Sequence, residues 1–325
     1  FDRIERDGFL SEMHDDEDHD EHDEDHDEEH EGDHDEEHHD DHLEGEMTFE
    51  PQSYKEDAFS IAAMLTRELN EYTNMSLGLS SVSKVPSSIE LFMNGEHLAT
   101  NRYEVGDITL DTERADSIDL NFSFERDGWY GTASVYHNRI DNYIFLRDEL
   151  EEEHESHMDE EHHDEEHTDH GGLMLAEYRQ RDAEFTGYEI EIGKVIELPR
   201  GVLQLSLARD EVNAEFTNGE DVPRIVPARN IFSAQYTLDN FSARLLVKDV
   251  EKQNSVAPGE SVTDGFTCID AFASWSYGLN DSSRLTLSAF ARNLTDEVSR
   301  NHASFVKNEV PLPGRNIGVR VQLNF

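Results

Sequence analysis

Basic residues are what this chain has least of for its size. Lysine and arginine number 26 against 75 aspartates and glutamates, none lies between Arg6 and Lys55, and the formal net charge is −49. A surface of that sign argues against nucleic acid, whose phosphates need Lys and Arg to displace counterions. Cysteine occurs once, as Cys268, which excludes an internal disulfide framework and any metal site built from several thiolates. No stretch of 18 apolar residues exists, so a membrane-spanning helix is excluded, although a barrel is not, because its strands show only alternation. Glycine-rich phosphate loops, His-Glu-x-x-His helices and nucleophile elbows are missing too, and the chain is expected not to be an enzyme. It opens at Phe1 without a signal-peptide pattern and is expected to be a mature form or a fragment.

What the chain does have is period two. In the last nine residues Ile317, Val319, Val321, Leu323 and Phe325 alternate with Gly318, Arg320, Gln322 and Asn324. The same pattern recurs at Ile118/Leu120/Phe122/Phe124, Leu203/Leu205/Leu207, Phe241/Ala243/Leu245/Val247 and Leu285/Leu287/Ala289/Ala291. Strands are predicted near 1–10, 55–67, 73–84, 116–126, 129–146, 180–196, 201–213, 230–238, 241–253, 266–278, 283–293 and 315–325. A soluble sandwich would alternate as well, but the links separate the two cases. Short links (LNEY, RDGW, ELPRG, DN, LNDSS) take strict turns with long ones at 11–54, 85–115, 147–179, 214–229, 254–265 and 294–314. That parity belongs to an outer-membrane antiparallel β-barrel, with tight turns at one end and extended loops at the other. The fold class expected is therefore all-β, a transmembrane barrel with about twelve strands in this chain. Trp129, Trp275, Tyr130 and Tyr277 stand near strand ends and suit interfacial girdles, and Arg292 and Arg320 point to the polar lumen face.

Two of the long links have an unusual composition. Histidines 14, 19, 22, 26, 30, 34, 38, 39 and 42 stand among Asp and Glu in the first (11–46), and histidines 154, 157, 162, 163, 167 and 170 in the second (148–172). Spelled out as candidate metal ligands, these are His14, His19, His22, His26, His30, His34, His38, His39, His42, His154, His157, His162, His163, His167 and His170. Carboxylates alone favour hard calcium and magnesium, whereas imidazoles mixed with them shift preference toward zinc (Zn2+), nickel (Ni2+), copper (Cu2+), cobalt (Co2+) or ferrous iron (Fe2+). His22, His26, His30, His34 and His38 recur every four residues, so a helix would place neighbours one turn apart and let pairs chelate. Like charges at that spacing repel, so both segments are expected to be disordered at neutral pH until a cation neutralises them. Four strands separate them, an even number, and both are expected on the long-loop, extracellular face.

The segment VPSSIELFMNGEHLATNRYEVGDITLDTERADSIDL and the ending ARNLTDEVSRNHASFVKNEVPLPGRNIGVRVQLNF resemble the C-terminal half of a TonB-dependent outer-membrane receptor. The residues that carry the resemblance are Pro86, Glu90, Leu91, Gly95, His97, Tyr103, Glu104, Gly106, Asp107 and Glu113, then Asn293, Leu294, Asp296, Pro313, Gly314, Arg315 and Phe325. With its His/Asp loops the chain is most similar to the zinc-uptake members of that family. The resemblance implies that 1–325 is the C-terminal portion of a plugged barrel of about 22 strands. The plug domain, and with it the TonB box, would be absent from this chain. It implies import of a divalent metal, zinc first, and as partners outer-membrane lipid, the TonB complex through the missing plug, and the barrel assembly machinery, which would read Phe325. A complete small pore of twelve strands is the alternative architecture.

Three histidines lie outside the two runs. His97, near Glu90, Glu96, Glu104 and Asp107 and matching the family's Gly-x-His, is the candidate for a tighter metal site. His137 and His302 are expected to be ordinary wall or loop residues, and Arg315 is expected to pair with acidic side chains in the lumen. Two other functions compete with zinc import: a siderophore or haem receptor, and a surface barrel that buffers metal without moving it.

Overall fold

The computed structural model describes residues 2–13, 47–149, 172–280 and 282–325. Its strands are β1 (Asp2–Met13), β2 (Met47–Ala58), β3 (Ile61–Asn70), β4 (Thr73–Lys84), β5 (Asn94–His97), β6 (Arg102–Val105), β7 (Glu113–Arg126) and β8 (Trp129–Asp148). They continue as β9 (Met174–Glu197), β10 (Val202–Phe216), β11 (Arg229–Leu238), β12 (Phe241–Val250), β13 (Phe266–Gly278), β14 (Arg284–Arg292) and β15 (Asn316–Asn324), and one short helix, α1 (Ser88–Phe92), precedes β5. A 13-stranded sheet runs β15 to β7 in sequence order and then β4 and β3, with β5 and β6 attached at its side, while β1 and β2 form a hairpin of their own.

All the strands predicted from alternation are present, with two differences. The strand expected near 55–67 breaks at Phe59–Ser60, so its upper half, β2, leaves the sheet and pairs with β1. The link 85–115 is not bare loop: it holds α1 and the β5–β6 hairpin, and β6 pairs in parallel with β9. The acidic segments are also shorter than expected. Ser11–Met13 extend β1 in register with Met47–Phe49, and Asp148 closes β8 opposite Ala176, so backbone pairing claims both edges. The expected disorder of the rest, 14–46 and 150–171, lies outside the described residues, as do all fifteen run histidines.

Register shows why the sheet is amphipathic. Leu65, Leu77, Leu120 and Val135 are successive cross-strand partners on β3, β4, β7 and β8, and Leu207, Phe232, Val247 and Ile269 are partners on β10 to β13. Val135 is 51% and Leu207 54% exposed, although both sit mid-sheet. Each such half-exposed side chain left in water would forgo about 1 kcal/mol, so a continuous row of them suits a lipid-facing surface. The other face is polar, with Asn121, Ser134 and Glu189 in one row and Ser274, Ser288 and Arg320 in another. Arg244, Arg292 and Arg320 line one recess on that face, as the alternation predicts. Trp129, Trp275 and Tyr277 are exposed at the short-turn end, the last two with stacked rings 5.6 Å apart. Tyr130 differs from them: it turns inward, accepts a hydrogen bond from Gln204, and covers Gly193.

That covering is a recurrent device. Phe124 lies over Gly131, Tyr136 over Gly187 and Phe290 over Gly318, each across one strand pair, and it explains why β8 carries aromatics on its polar face. A Cβ on Gly187 would stand 2.3 Å from the Tyr136 hydroxyl and 2.8 Å from the Glu211 carbonyl. Gly187→Val is therefore expected to displace the ring and cost about 1–3 kcal/mol. The temperature at which the barrel loses its folded mobility on a gel should fall by roughly 5 °C. Gly95→Ala, which meets nothing within 4 Å, should leave it unchanged.

The short turns follow from local chemistry: Asp127 and Gly128 both have positive φ (51° and 77°), which is the two-residue turn that matches strand twist. Among the described residues, the buried apolar clusters lie where the long links gather. Ala183, Ala214, Phe216 and Val222 make one, and Leu91, Leu110 and Ile144 make another.

Candidate metal-capture site

The platform beside β8 and β9 is built by the resemblance residues. Ser87 caps α1 by accepting from the Glu90 amide at 3.2 Å, and Glu90 accepts in return from the Ser87 amide at 2.6 Å. Lys84 bridges Glu90 at 3.1 Å and the buried Glu113 at 2.9 Å, and Glu113 accepts from the Ile144 amide. Burial opposes the Glu90 charge, but the Ser87 amide and Lys84 outweigh it and hold the carboxyl below its usual range. Leu91 is fully buried beneath the helix, and Gly106 is needed because a Cβ there would stand 2.7 Å from the Leu91 carbonyl carbon. Asp107 caps its own turn through the Thr109 amide at 2.8 Å.

On this platform the β5–β6 hairpin sets His97 opposite Arg102, which in turn stands beside Met174 of β9. Of the four carboxylates near His97 in sequence, only Glu104 reaches it. Glu90 and Asp107 are committed to the helix and the turn, and Glu96 is exposed. Glu104 is 1% exposed, and its Oε1 lies 2.8 Å from His97 Nδ1 and accepts from the Thr100 hydroxyl at 2.6 Å, while Oε2 accepts from Tyr178 at 3.2 Å. A carboxylate only accepts, so Nδ1 donates, and in the neutral ring Nε2 is left with the lone pair; the side chain is 42% exposed. This is how an imidazole is oriented for a metal: its second nitrogen is fixed by an anionic acceptor. Among the described residues no group of three His, Cys, Asp or Glu side chains converges for a metal, and His97 is an oriented imidazole with one carboxylate partner.

Strands that flank both His-rich runs touch this platform. Tyr54 of β2 donates to the Leu110 carbonyl at 2.8 Å, and Gly8 of β1 makes room for the Phe92 ring, so the β1–β2 hairpin rests on the α1 platform. β8 ends at Asp148, and β9 begins at Met174 beside β6.

The other histidines divide. His137 sits in the wall, its Nδ1 3.0 Å from the Thr186 hydroxyl, as expected. His302 is no ordinary loop residue: it is 1% exposed, with Nδ1 2.8 Å from the Thr263 hydroxyl and Nε2 3.0 Å from Glu260. Sequence reading missed the cluster it belongs to, although basic residues inside long links of so acidic a chain, such as Arg224 and Lys307, were a signal available for it. Arg315 pairs with an acidic side chain, Asp296, at 3.4 Å, in the last long link and with both groups half exposed, and the Arg315 amide donates to the same carboxylate. Asn293, with φ of 47°, binds both the amide and the carbonyl of Glu297, which folds the last long link back over β14.

Residues 31–294 match the family described as TonB dependent receptor-like, beta-barrel. The chain belongs to that family. TonB-dependent receptors are transporters, and their barrel fold implies the outer membrane of a Gram-negative cell. Among solved structures, the chain is similar to the copper transporter OprC, with a TM-score of 0.65 and 18% identity, over 85% of this chain and 40% of that one. It is similar also to the ferric enterobactin receptor PfeA of Pseudomonas aeruginosa, with a TM-score of 0.56, 15% identity, and coverage of 86% and 42%. A third is the FrpB iron transporter of Neisseria meningitidis, with a TM-score of 0.54, 14% identity, and coverage of 86% and 39%. At these identities the likeness is one of fold. The chain spans about two fifths of the length of these receptors. Among the described residues no helix is long and apolar enough to cross a membrane.

Proposed function

We propose that this TonB-dependent receptor barrel imports a divalent metal, zinc in first place, and that its two His-rich acidic runs capture the ion at the extracellular mouth. The observation that carries the reading is that strands flanking each run lie against the platform that holds His97, whose Nδ1 is tied to a buried carboxylate. Many weak imidazole–carboxylate sites raise the local metal concentration, and an oriented ligand nearby accepts the ion on its way in. Further ligands would come from the run histidines and from the lumen-filling part of a longer receptor, which would also meet the TonB complex. A metal as cargo has a counterpart in this fold, since one structural neighbour is named a copper transporter.

The second reading is a ferric-chelate receptor, favoured by the neighbour named as a ferric enterobactin receptor. Uptake of labelled zinc by energised cells displaying the intact receptor decides between them. Saturable uptake at low supply, with nickel, copper, cobalt and ferrous iron as competitors and ferric siderophores without effect, is the expected result. Siderophore uptake without zinc uptake would overturn the metal reading, and surface-bound zinc without accumulation would reduce the protein to a buffer.

Glu104→Gln keeps the volume of the side chain but replaces the anionic acceptor, and it is expected to weaken the tightest zinc site by about tenfold. His97→Ala should weaken it at least as much. Competition with a chromophoric chelator measures both, and wild-type affinity in His97→Ala would remove His97 from the path.

A further inference from the structure

The buried cluster around Asp148 ties together links that are far apart in sequence. Arg102 reaches Asp148 with two parallel hydrogen bonds of 2.6 and 2.7 Å, and Arg224 approaches the same carboxylate at 3.4 Å. Both guanidiniums stand over the ring of Phe305, with Cζ 4.6 Å and 3.5 Å from its centroid. The Arg224 amide donates to Glu260 at 3.1 Å, and Glu260 also receives Lys307 at 3.1 Å. Burial opposes the charge on Glu260, yet His302, the Arg224 amide and Lys307 hold the carboxyl down to about 2. The partners come from the links 85–112, 217–228, 251–265 and 293–315 and from the last residue of β8.

We propose that Phe305 is a keystone: with Arg102, Arg224 and Asp148 it locks three long links, to which Glu260 ties a fourth, into one rigid rim and fixes the foot of β8 and β9, from which the second His-rich run departs. The lock does more than stabilise the fold. Removing it leaves every run histidine in the chain but lets the strand ends that deliver the captured ion move relative to His97. The rim claim is independent of the cargo, and its consequence for delivery rests on the metal-capture reading above.

The test uses the intact receptor, purified in detergent and displayed on cells. Phe305→Ala and Asp148→Asn are expected to speed trypsin cleavage within the long links by about tenfold or more, because local opening now exposes Arg102, Arg224 and Lys307. Zinc held at the surface of de-energised cells should stay at the wild-type level, while uptake at limiting zinc falls by roughly fivefold. Phe305→Tyr, which keeps the ring, should match wild type in all three. If Phe305→Ala fails to reach the surface, Phe305→Leu, which keeps apolar bulk and loses the ring, decides with the same readouts. Wild-type cleavage rates in both Phe305→Leu and Asp148→Asn would overturn the keystone. A wild-type receptor that captures no zinc would sink the metal reading, and the cleavage rates would then decide the keystone by themselves.

Discussion

Replacing residues 14–46 and 150–171 of the intact receptor with short Gly-Ser links lowers zinc accumulation at limiting supply by about tenfold or more and leaves it nearly unchanged at high supply. Capture raises the ion concentration at the mouth, an advantage that vanishes once the medium itself saturates the path. The barrel should tolerate the change, because Met13 already pairs with Met47 and Asp148 with Ala176, so a short link closes each hairpin. A companion variant separates imidazole from charge. Converting the fifteen run histidines to Gln keeps every carboxylate, and it should lose nearly as much zinc uptake as the deletion. If it behaves as wild type, the runs act only as an anionic funnel and the ligand argument fails.

Zinc capture falls steeply between pH 7 and pH 5.5. An imidazole with the ordinary pKa of about 6.5 is roughly three-quarters neutral at pH 7 and about one-tenth neutral at pH 5.5. A pair acting together loses the product of two such factors, about seventyfold in affinity. Carboxylates stay ionised over that range, so calcium binding should hardly change. The sign follows from competition: protons occupy the lone pairs the metal needs, so acid opposes binding and metal binding releases protons. Surface-bound zinc measured on de-energised cells across this range checks the prediction, and a flat profile would assign capture to carboxylates.

The barrel wall was legible in the sequence because a lipid-facing strand cannot avoid declaring itself. Ile317 to Phe325 must alternate between oil and lumen, and links such as Asp127–Gly128 must be tight where others are long. The break at Phe59–Ser60 was hidden, since both halves alternate and only the pairing of β2 with β1 separates them. The helix α1 had a visible sign in Ser87-x-x-Glu90, a capping-box spacing, but five residues carry no periodicity to confirm it. His97 and Glu104 were legible as neighbours in a short segment, and the hairpin that joins them is local. The Asp148 cluster was not, because Arg102 and Phe305 are 203 residues apart and meet only when the long links pack. The resemblance residues read as a functional signature, and several of them turn out to build the platform: Glu90, Leu91, Gly106, Asp107 and Glu113 support the hairpin that carries His97 without touching it.

The central claim is that imidazoles set among carboxylates give the mouth of this barrel a preference for borderline divalent cations over hard ones. Calorimetric titration of the intact chain in detergent at pH 7, with zinc and then with calcium, measures that preference directly. Several zinc ions bound per chain, with calcium weaker by about tenfold or more, is the result the account predicts. Calcium binding as tight as zinc, or no zinc binding at all, would contradict it.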